Sequence, residues 1–588
     1  MHSFDRAIRI ALPLAFASTL AAQAPTFPLP KTTGSTTSLE DTAPFLLPVG
    51  VTQTKVTSRK DLANLPTTFG NWDMVAFDTT GRYIFVPTEV GRGAGVFRYD
   101  TTTKAFVTQM LGNNTGVRES DPTKWSATND DFRSFDPATW TPWGSVVTGE
   151  ETTGGRFFEI KNPLADSGFE VVWRSAIPSL AHEGIRFDKD GNMYVVDENN
   201  SGSIYKFVPK TKGDLSSGQT FVLSVDAYAA DATADASATW DATANRLTTR
   251  TGKATWVPMT DKDGKALTKA DPFAFVTTTG GRTAADELKG TPYGRPEDCD
   301  FTVLASGNEC LYFTATSENT IYSIELTGET TAMVRVFVDF DTINLATGRD
   351  VNPKQNDPWT SPGASTETNL RSPDNLAVDH FGSVYIIEDQ NPGDIWKCFD
   401  SNKDGVAESI GLFASLGVAG SEPTGLIAHP TDPYRMLCAI QHPSSGNDAL
   451  WYFDTNPFAG NVKDLHLASG VDMAPSFGPA EFVRAASAGQ ILSYSLVSPR
   501  GTHANMPYVL LMQGIDSKND PKKLLEGIWL DPMMPIIAVS GGQLQTYGVR
   551  LWFEVPQGLS GISIVAQAAV AGGAIGVELT SANVTLLR

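Results

Sequence analysis

The sequence predicts an all-β protein, namely a β-propeller of about six blades followed by a small C-terminal β-sandwich. Three observations predict this fold. The 588-residue chain contains 52 glycines and 36 prolines, a turn-rich composition that argues against a helical bundle. A degenerate pattern of two short apolar strands between polar clusters recurs along the middle of the chain. After about Phe482 this pattern stops, although strand-like segments separated by glycine, proline and asparagine continue.

Each copy of the recurring pattern has a polar cluster, an apolar strand, a turn, a second apolar strand and another polar cluster. The copies lie at residues 71–89, 142–151, 182–199, 296–319, 373–389 and 422–442. Their spacing modestly exceeds the ~40–50 residues of a four-stranded blade, except where an insertion at about 210–290 lengthens it. Radial packing buries both faces of such hairpins and protects their edges, so a propeller is predicted over residues 66–482. A β-sandwich or two unrelated domains are the structural alternatives.

The two ends of the chain are predicted to lie outside the propeller. Residues 1–24 combine Arg6 and Arg9 with an apolar stretch and small residues, a pattern typical of a cleavable Sec-type signal peptide. Residues 25–65 are predicted to be an N-terminal extension, and residues 500–588 a β-sandwich accessory domain. No later apolar run is long and charge-free enough for a membrane span. The protein is therefore expected to be secreted into the periplasm or the extracellular space.

The four cysteines fit an oxidising compartment. Cys299 and Cys310 flank a glycine turn between two strand-like runs, so they are candidates for a disulfide across a hairpin. Cys398 and Cys438 are candidates for a second disulfide. Because the sequence has no CxxC pair, disulfides or buried thiols are expected rather than a thiolate zinc site.

Acidic side chains dominate the polar clusters of the repeat. The formal net charge is -21 and no basic footprint stands out, which excludes nucleic acid as a partner. Strands joined by a tight turn are antiparallel, so both polar clusters of a copy lie at the same end of its hairpin, and in a propeller these ends converge. The side chains expected to converge are Glu89, Glu150, Glu151, Glu183, Asp197, Glu198, Glu297, Asp298, Asp374, Asn375, Glu388, Asp389 and Glu422.

Carboxylates gathered in this way would repel one another and raise their pKa values unless cations neutralised them. Oxygen-rich sites select calcium or magnesium, with high-spin iron or manganese as alternatives. For a single residue, a turn cap or a solvated surface charge is the simpler explanation. The recurrence in six copies instead favours a site for divalent cations.

Several short segments of the repeat carry a family resemblance. They are residues 141–152, 182–184, 294–297, 372–375, 422–425 and 440–443. In this order they resemble the PhoX family of secreted alkaline phosphatases, which are six-bladed propellers that use calcium and iron. The resemblance spans roughly Asn71 to Trp451. It implies metal-dependent hydrolysis of phosphate monoesters.

The resemblance also implies roles for single residues. The implied metal ligands are Glu150, Glu151, Glu183, Glu297, Asp374, Asp389 and Glu422, and the implied catalytic residues are Arg295 and Glu297. Metal ions polarise phosphoryl oxygens and help to form a hydroxide nucleophile, while an arginine fork binds the phosphate oxygens. Gly149 stands where the family has an iron-binding cysteine. Because glycine supplies no ligand, the sequence favours several Ca²⁺ ions, with Fe³⁺ as the alternative.

The sequence thus predicts a secreted, metal-dependent phosphatase that acts on small phosphorylated substrates. One alternative is a calcium-dependent propeller lactonase or phytase, because such enzymes also place carboxylates at the channel mouth. Another is a non-catalytic calcium-binding propeller. Residues 400–405 additionally match the first half of a calcium loop, for which a polar turn between strands is an equal explanation.

Overall fold

The computed structural model of the protein is built almost entirely from β-strands. The residues described are 39–47, 51–274, 279–344, 349–351, 370–380, 382–391, 393–400, 402–455, 465–471, 483–498, 501–517, 528–545, 548–572, 576–580 and 582–588. The signal peptide predicted at residues 1–24 lies outside the described residues. None of the helices in the described ranges is long and apolar enough to span a bilayer.

Two short N-terminal strands precede the first two blades. The elements are β1 (Phe45–Leu46), β2 (Thr52–Ser58), a 3-10 turn (Arg59–Asp61), β3 (Ala76–Phe77), β4 (Tyr83–Pro87), β5 (Gly95–Asp100), β6 (Phe106–Leu111), β7 (Phe135–Trp140), β8 (Val146–Glu150), β9 (Phe157–Lys161) and β10 (Glu170–Trp173). Strands β3–β6 form blade one and β7–β10 form blade two, each an antiparallel sheet in sequence order.

Blades three and four carry the predicted insertion between them. The elements are β11 (His182–Phe187), β12 (Met193–Asp197), β13 (Ile204–Thr211), β14 (Asp214–Val225), α1 (Asp226–Ala230), α2 (Thr243–Arg246), β15 (Gly252–Pro258), α3 (Gly280–Glu287), β16 (Pro296–Val303), β17 (Glu309–Ala315), a 3-10 turn (Thr316–Glu318), β18 (Thr320–Leu326) and β19 (Thr331–Val338). Strand β15 of the insertion pairs with both β14 and β19. The two blades therefore share one 9-stranded sheet.

Blades five and six complete the circle. The elements are β20 (Ile343–Asn344), β21 (Arg349–Asp350), β22 (Pro373–Val378), β23 (Val384–Glu388), β24 (Asp394–Phe399), β25 (Ser409–Leu416), β26 (Glu422–Ala428), β27 (Arg435–Gln441) and β28 (Ala449–Asp454). The N-terminal strand β2 pairs with β28 as the fourth strand of blade six. Because the first and last parts of the propeller share a sheet, backbone hydrogen bonds close the ring. The propeller therefore includes β2, which lies ahead of residue 66, where the sequence predicted the propeller to begin.

The innermost strand of each blade faces the propeller axis. These strands are β3, β7, β11, β16, β22 and β26, and consecutive members contact one another from β3 to β26. The ring closes where Gly425 of β26 packs against the backbone of residues 73–75. Apolar residues pack between neighbouring blades, as Trp72 and Phe97 of blade one do against Leu437 and Leu450 of blade six. The predicted six-bladed propeller is therefore confirmed, and each inner strand is held by packing on both sides.

The C-terminal part is a separate arrangement of two sheets. Its strands are β29 (His466–Val471), β30 (Val483–Ala486), β31 (Ile491–Val497), β32 (Pro507–Asp516), β33 (Ile537–Gln543), β34 (Gly548–Glu554), β35 (Ile562–Ala571), β36 (Val577–Leu579) and β37 (Asn583–Leu587). One sheet has the order β29-β31-β34 and the other β30-β37-β35-β32-β33, with β36 on β35. Leu467, Tyr494, Leu510 and Ala568 pack in a shared core. The predicted β-sandwich is confirmed, and its first described strand begins before residue 500.

The two candidate disulfides are not formed, since all four cysteines are free and buried. Cys299 in β16 lies opposite Phe313, and Cys310 in β17 lies opposite Thr302, so the hairpin register separates the two thiols. Burial raises the pKa of every one of these thiols above its usual range. The four cysteines are therefore buried thiols, which is the alternative that the sequence offered.

Candidate metal centre

Five of the six inner strands begin with the same local geometry. A residue that pairs with the second strand is followed by a bulge, and the first residue of that bulge is acidic. A bulge re-aims the side chains that it carries. The five acids, which we call the inner carboxylates, are Asp73, Asp136, Glu183, Glu297 and Asp374.

Blade six has a glycine at the corresponding place. Gly425 has a φ of 56°, and a Cβ atom added to it would lie 2.8 Å from the carbonyl oxygen of Asp73. The backbones of blades six and one approach too closely for a side chain here. The ring of inner carboxylates is therefore open at blade six.

A second set of acids follows the second strands of four blades. Their backbone N–H groups donate to carbonyl oxygens just ahead of the inner strands, from Glu89 to Asn71 at 2.9 Å, Glu151 to Ser134 at 2.8 Å, Glu198 to Ala181 at 3.0 Å and Asp389 to Ser372 at 2.9 Å. These hydrogen bonds hold each acid beside the inner carboxylate of its own blade. We call these four residues the outer carboxylates.

Three inner carboxylates from consecutive blades converge. Glu183, Glu297 and Asp374 each offer a carboxylate oxygen, and these atoms lie within 4.8 Å of one another. Two oxygens bound to one Ca²⁺ at 2.3–2.6 Å can be at most ~5 Å apart. Glu183 is buried, and its Oε2 atom has no hydrogen-bond partner among the described residues. These three residues could therefore hold a metal ion.

Burial and mutual repulsion raise the pKa values throughout the cluster. Desolvation is the largest cause, and neighbouring carboxylates add to it. The pKa of Glu151 rises to about 12, that of Glu422 to about 8 and that of Glu89 to about 7. The pKa values of Glu183 and Asp374 lie well above their usual range. Cations would displace protons from such a cluster, because they relieve the repulsion that retains them.

Asp73 and Asp136 extend the cluster toward blades one and two. Gln441 donates from Nε2 to the carboxylates of Asp73 at 2.7 Å and Glu89 at 2.9 Å. The Oδ1 atom of Asp136 is buried and has no hydrogen-bond partner among the described residues. Burial, followed by the charges of Asp73 and Glu151, raises the pKa of Asp136 well above its usual range.

Sequence reasoning did not name Asp73 and Asp136 as ligands. The signal that identifies them is their position. Asp136 follows the first residue of β7, as Asp374 follows Pro373 in β22, and Asp73 follows Trp72, which forms a bridge with Thr88 ahead of β3. The second copy of the pattern is visible in the sequence only from residue 142 onward, in the turn after β7, and Asp136 lies ahead of it.

Glu150 is not brought into the cluster. Its buried carboxylate accepts hydrogen bonds from Arg118 at 2.9 Å and from Arg156 at 2.9 Å. Burial opposes ionisation, but the two guanidinium groups outweigh it and lower the pKa of Glu150. Arg156 also bonds the carboxylate of Asp130. Glu150 is thus part of a buried ion-pair network that fixes the end of β8, from which Glu151 extends into the cluster.

Asp389 and Glu422 meet at the rim of blades five and six. Burial is the largest cause that raises the pKa of Glu422, and a side-chain hydrogen bond with Asp389 and the charge of Asp389 add to it. Nε2 of His442 lies 2.8 Å from a Glu422 oxygen, and Nδ1 lies 2.8 Å from the Gly420 carbonyl oxygen. The contact with Glu422 is the largest cause that raises the pKa of His442 to about 9.

Arg295 places a guanidinium group over the cluster. Its Nε donates to Glu198 at 2.7 Å, and a terminal nitrogen lies 3.1 Å from a Glu297 oxygen. The side chain is 40% exposed, so the guanidinium group is open to a ligand. Arg295 has a φ of 50°, a strained conformation for a residue with a side chain and one that often occurs at functional sites.

Part of the chain, including most of this cluster, is similar to a known protein family. The family model described as alkaline phosphatase PhoX matches residues 157–444. This segment, just under half of the chain, is similar to the PhoX alkaline phosphatases. The match supports a phosphoric monoester hydrolase. No curated protein matches the chain.

Solved structures share low sequence identity with the chain. The Dos1 propeller has 9% identity and a TM-score of 0.29, with 68% of this chain and 94% of that chain covered. The structure of YCF48 bound to D1 peptide has 10% identity and a TM-score of 0.29, with 70% and 97% covered. The tricorn protease has 10% identity and a TM-score of 0.28, with 88% of this chain covered, and this chain spans 39% of the protease chain.

The PhoX match includes most of the residues that the sequence singled out. Glu183, Arg295, Glu297, Asp374, Asp389 and Glu422 lie inside it, whereas Glu150 and Glu151 lie just ahead of it. Gly149 packs against His182, and an added Cβ atom would lie 2.4 Å from the His182 Cβ atom. A side chain at this position would therefore require His182 to move. The candidate ligand atoms of the described cluster are all carboxylate oxygens.

Proposed function

We propose that this protein is a phosphatase of the PhoX type that hydrolyses phosphate monoesters at a cluster of divalent cations on the propeller axis. The observation that carries the proposal is the convergence of Glu183, Glu297 and Asp374 from three blades, with oxygens within 4.8 Å. A buried group of like charges is unfavourable unless cations compensate it. Arg295 beside Glu297 supplies the positive group that an anionic phosphate needs.

The donor set supports calcium as the cation. Ca²⁺ takes about 6–8 oxygen ligands in flexible geometry, and the inner and outer carboxylates supply oxygens only. Glu183, Glu297 and Asp374 would hold a central ion, with Glu151 on one flank and the proposed ligands Asp389 and Glu422 on the other. The unpartnered oxygens of Glu183 and Asp136 support this assignment, because a buried carboxylate oxygen ordinarily has a hydrogen-bond or metal partner. Several Ca²⁺ ions would fit, and Fe³⁺ is the alternative.

The proposed chemistry divides between the bound cations and the chain. Bound cations would polarise the phosphoryl oxygens and lower the pKa of a coordinated water. Arg295 would bind the phosphoryl oxygens with two N–H groups, exchanging its contact with Glu198 for the substrate. Glu297 lies in reach of both Arg295 and the inner carboxylates, so it would fix the arginine relative to the cations.

We also propose that the protein acts outside the cytoplasm. The arginines and the apolar stretch within residues 1–24 support export through a cleavable signal peptide. The natural substrate would then be a small phosphorylated compound that reaches the periplasm or the cell exterior.

The test is p-nitrophenyl phosphate turnover by the purified protein, with metal content measured by mass spectrometry. Turnover with calcium and loss of turnover after chelation are expected. Glu297→Gln and Arg295→Ala should each lower kcat/KM by about 100-fold or more. Glu325→Gln is the matched control, since Glu325 is another buried glutamate of blade four, bound to Arg335 and placed on the third strand, β18, instead of the inner strand. Full activity after chelation, or equal losses in the control, would contradict the proposal.

A further inference from the structure

Arg250 lies in the insertion between blades three and four, outside the carboxylate cluster. Its two terminal nitrogens donate to both oxygens of Glu318, at 2.8 Å and 2.7 Å. Both side chains are nearly buried, and Arg250 also stacks over the rings of Trp240 and Tyr293. Paired N–H donors on one carboxylate define the orientation of both groups.

Glu318 in turn holds the backbone just ahead of Arg295. One carboxylate oxygen accepts the Gly294 N–H at 2.6 Å, and the other accepts the Tyr322 hydroxyl at 2.7 Å. The 3-10 turn that contains Glu318 returns two further bonds, from Ser317 N–H to the Gly294 carbonyl and from Thr316 N–H to the Arg295 carbonyl, both at 3.0 Å. The peptide unit of Gly294 and Arg295 is therefore bound on both sides.

Gly294 is packed tightly between the 3-10 turn and the insertion. A Cβ atom added to it would lie 2.7 Å from both the Glu318 Cγ atom and the Trp240 Nε1 atom. Arg295 itself has a φ of 50°, which a residue with a side chain adopts only when its surroundings impose it. The insertion and the 3-10 turn together provide those surroundings.

We propose that Arg250 is a positioning residue that acts through Glu318 to hold Arg295 at the mouth of the carboxylate cluster for binding phosphate. This inference rests on the proposed phosphate contact of Arg295. It gives the insertion a role in the reaction, because two of the side chains that set the Arg295 backbone, Trp240 and Arg250, come from it. A guanidinium group displaced by about 1 Å loses its paired contact with a phosphate group.

The test compares Arg250→Lys and Glu318→Gln with the parent enzyme. Lysine keeps the charge but cannot form the paired contact. Both variants should raise KM for p-nitrophenyl phosphate and Ki for inorganic phosphate by about tenfold, with calcium affinity unchanged. Arg174→Lys is the matched control, since Arg174 forms an equally buried pair with Glu159 in blade two. This control should lose stability without any change in Ki.

A double-mutant cycle separates positioning from general damage. In the Arg295→Ala background, Arg250→Lys should have no further effect on Ki, because the group that it positions is gone. An equal effect in both backgrounds, or an unchanged Ki in both single variants, would overturn the inference. If Arg295→Ala alone leaves Ki unchanged, the proposed phosphate contact fails and this inference fails with it. If Arg295→Ala raises Ki while Arg250→Lys does not, only the positioning role fails.

Discussion

The side chain of Thr424 in blade six is hydrogen-bonded to the carboxylate of Asp73 in blade one, 351 residues earlier in the chain. The same hydroxyl contacts the side-chain oxygen of Asn375 in blade five. One buried hydroxyl thus links three blades at the point where the ring of inner carboxylates is open. At blade six, the Thr424 hydroxyl and the Gly425 backbone occupy the place that a sixth inner carboxylate would take.

Thr424→Val should destabilise the propeller by about 1–3 kcal/mol, because the buried Asp73 carboxylate loses a donor that water cannot replace. The measurement is urea unfolding in the presence of a chelator, so that metal binding does not contribute. Thr148→Val is the control, because the Thr148 hydroxyl is buried without a hydrogen-bond partner among the described residues. That change should be neutral or slightly stabilising, and an equal loss in both variants would argue against the linking role of Thr424.

Removing an inner carboxylate should have opposite effects with and without calcium. Glu183→Gln removes a group whose pKa is raised by burial and then by Asp136 and Glu297, so the metal-free protein should unfold at the same or a higher temperature. With calcium the variant should be less stable than the parent, since one ligand is lost. The measurement is the calcium-induced shift in Tm, and an unchanged shift would show that Glu183 does not bind the ion.

The fold could be predicted from the sequence because its evidence is local and repeated. The pairing of β11 with β12 and of β22 with β23 follows from apolar runs around a glycine turn, which are visible in the chain. The pairing of β2 with β28 could not be predicted in the same way. It joins residues about 400 positions apart, and nothing in a short strand indicates its partner.

The site could be predicted only as a set of acids near one face of the fold. Glu150 and Glu151 are neighbours in sequence, and both lie at the end of β8. The fold directs Glu150 to Arg118 and Arg156 and leaves Glu151 facing the acids of other blades. The family resemblance implies that both acids are ligands. In the structure, Glu150 is bound by arginines 6 and 32 residues away, and a short sequence pattern does not reveal such contacts.

The position of Glu150 leads to a prediction that separates it from the cluster. Glu150→Gln should lower stability by about 3–5 kcal/mol, because Arg156 would be left buried with an incomplete set of counter-charges. The number of bound calcium ions should stay the same, as determined by mass spectrometry of the folded protein. Glu151→Gln provides the comparison, and should reduce calcium binding with little loss of stability in chelator. Loss of a calcium ion from the Glu150 variant alone would instead make Glu150 a ligand.

The stability of the metal-free protein should fall as the pH rises. The folded protein raises the pKa of Glu422 from 4.5 to about 8 and that of Glu89 from 4.5 to about 7, mainly by burial. In this range the folded state binds more protons than the unfolded state, so ionisation favours unfolding. The stabilising contribution is complete below about pH 4.5 and is lost between there and about pH 8.

Calcium should reverse this dependence, because the ion replaces the protons that reduce repulsion in the cluster. Calcium affinity should therefore rise between pH 5 and pH 8, with proton release on binding, as measured by calorimetry in buffers of different ionisation enthalpy. In Glu422→Gln, fewer protons should be released, and the chelated variant should lose less stability between the same pH values. Stability that stays constant with pH in the presence of chelator would mean that these carboxylates are already ionised and separated in the metal-free protein.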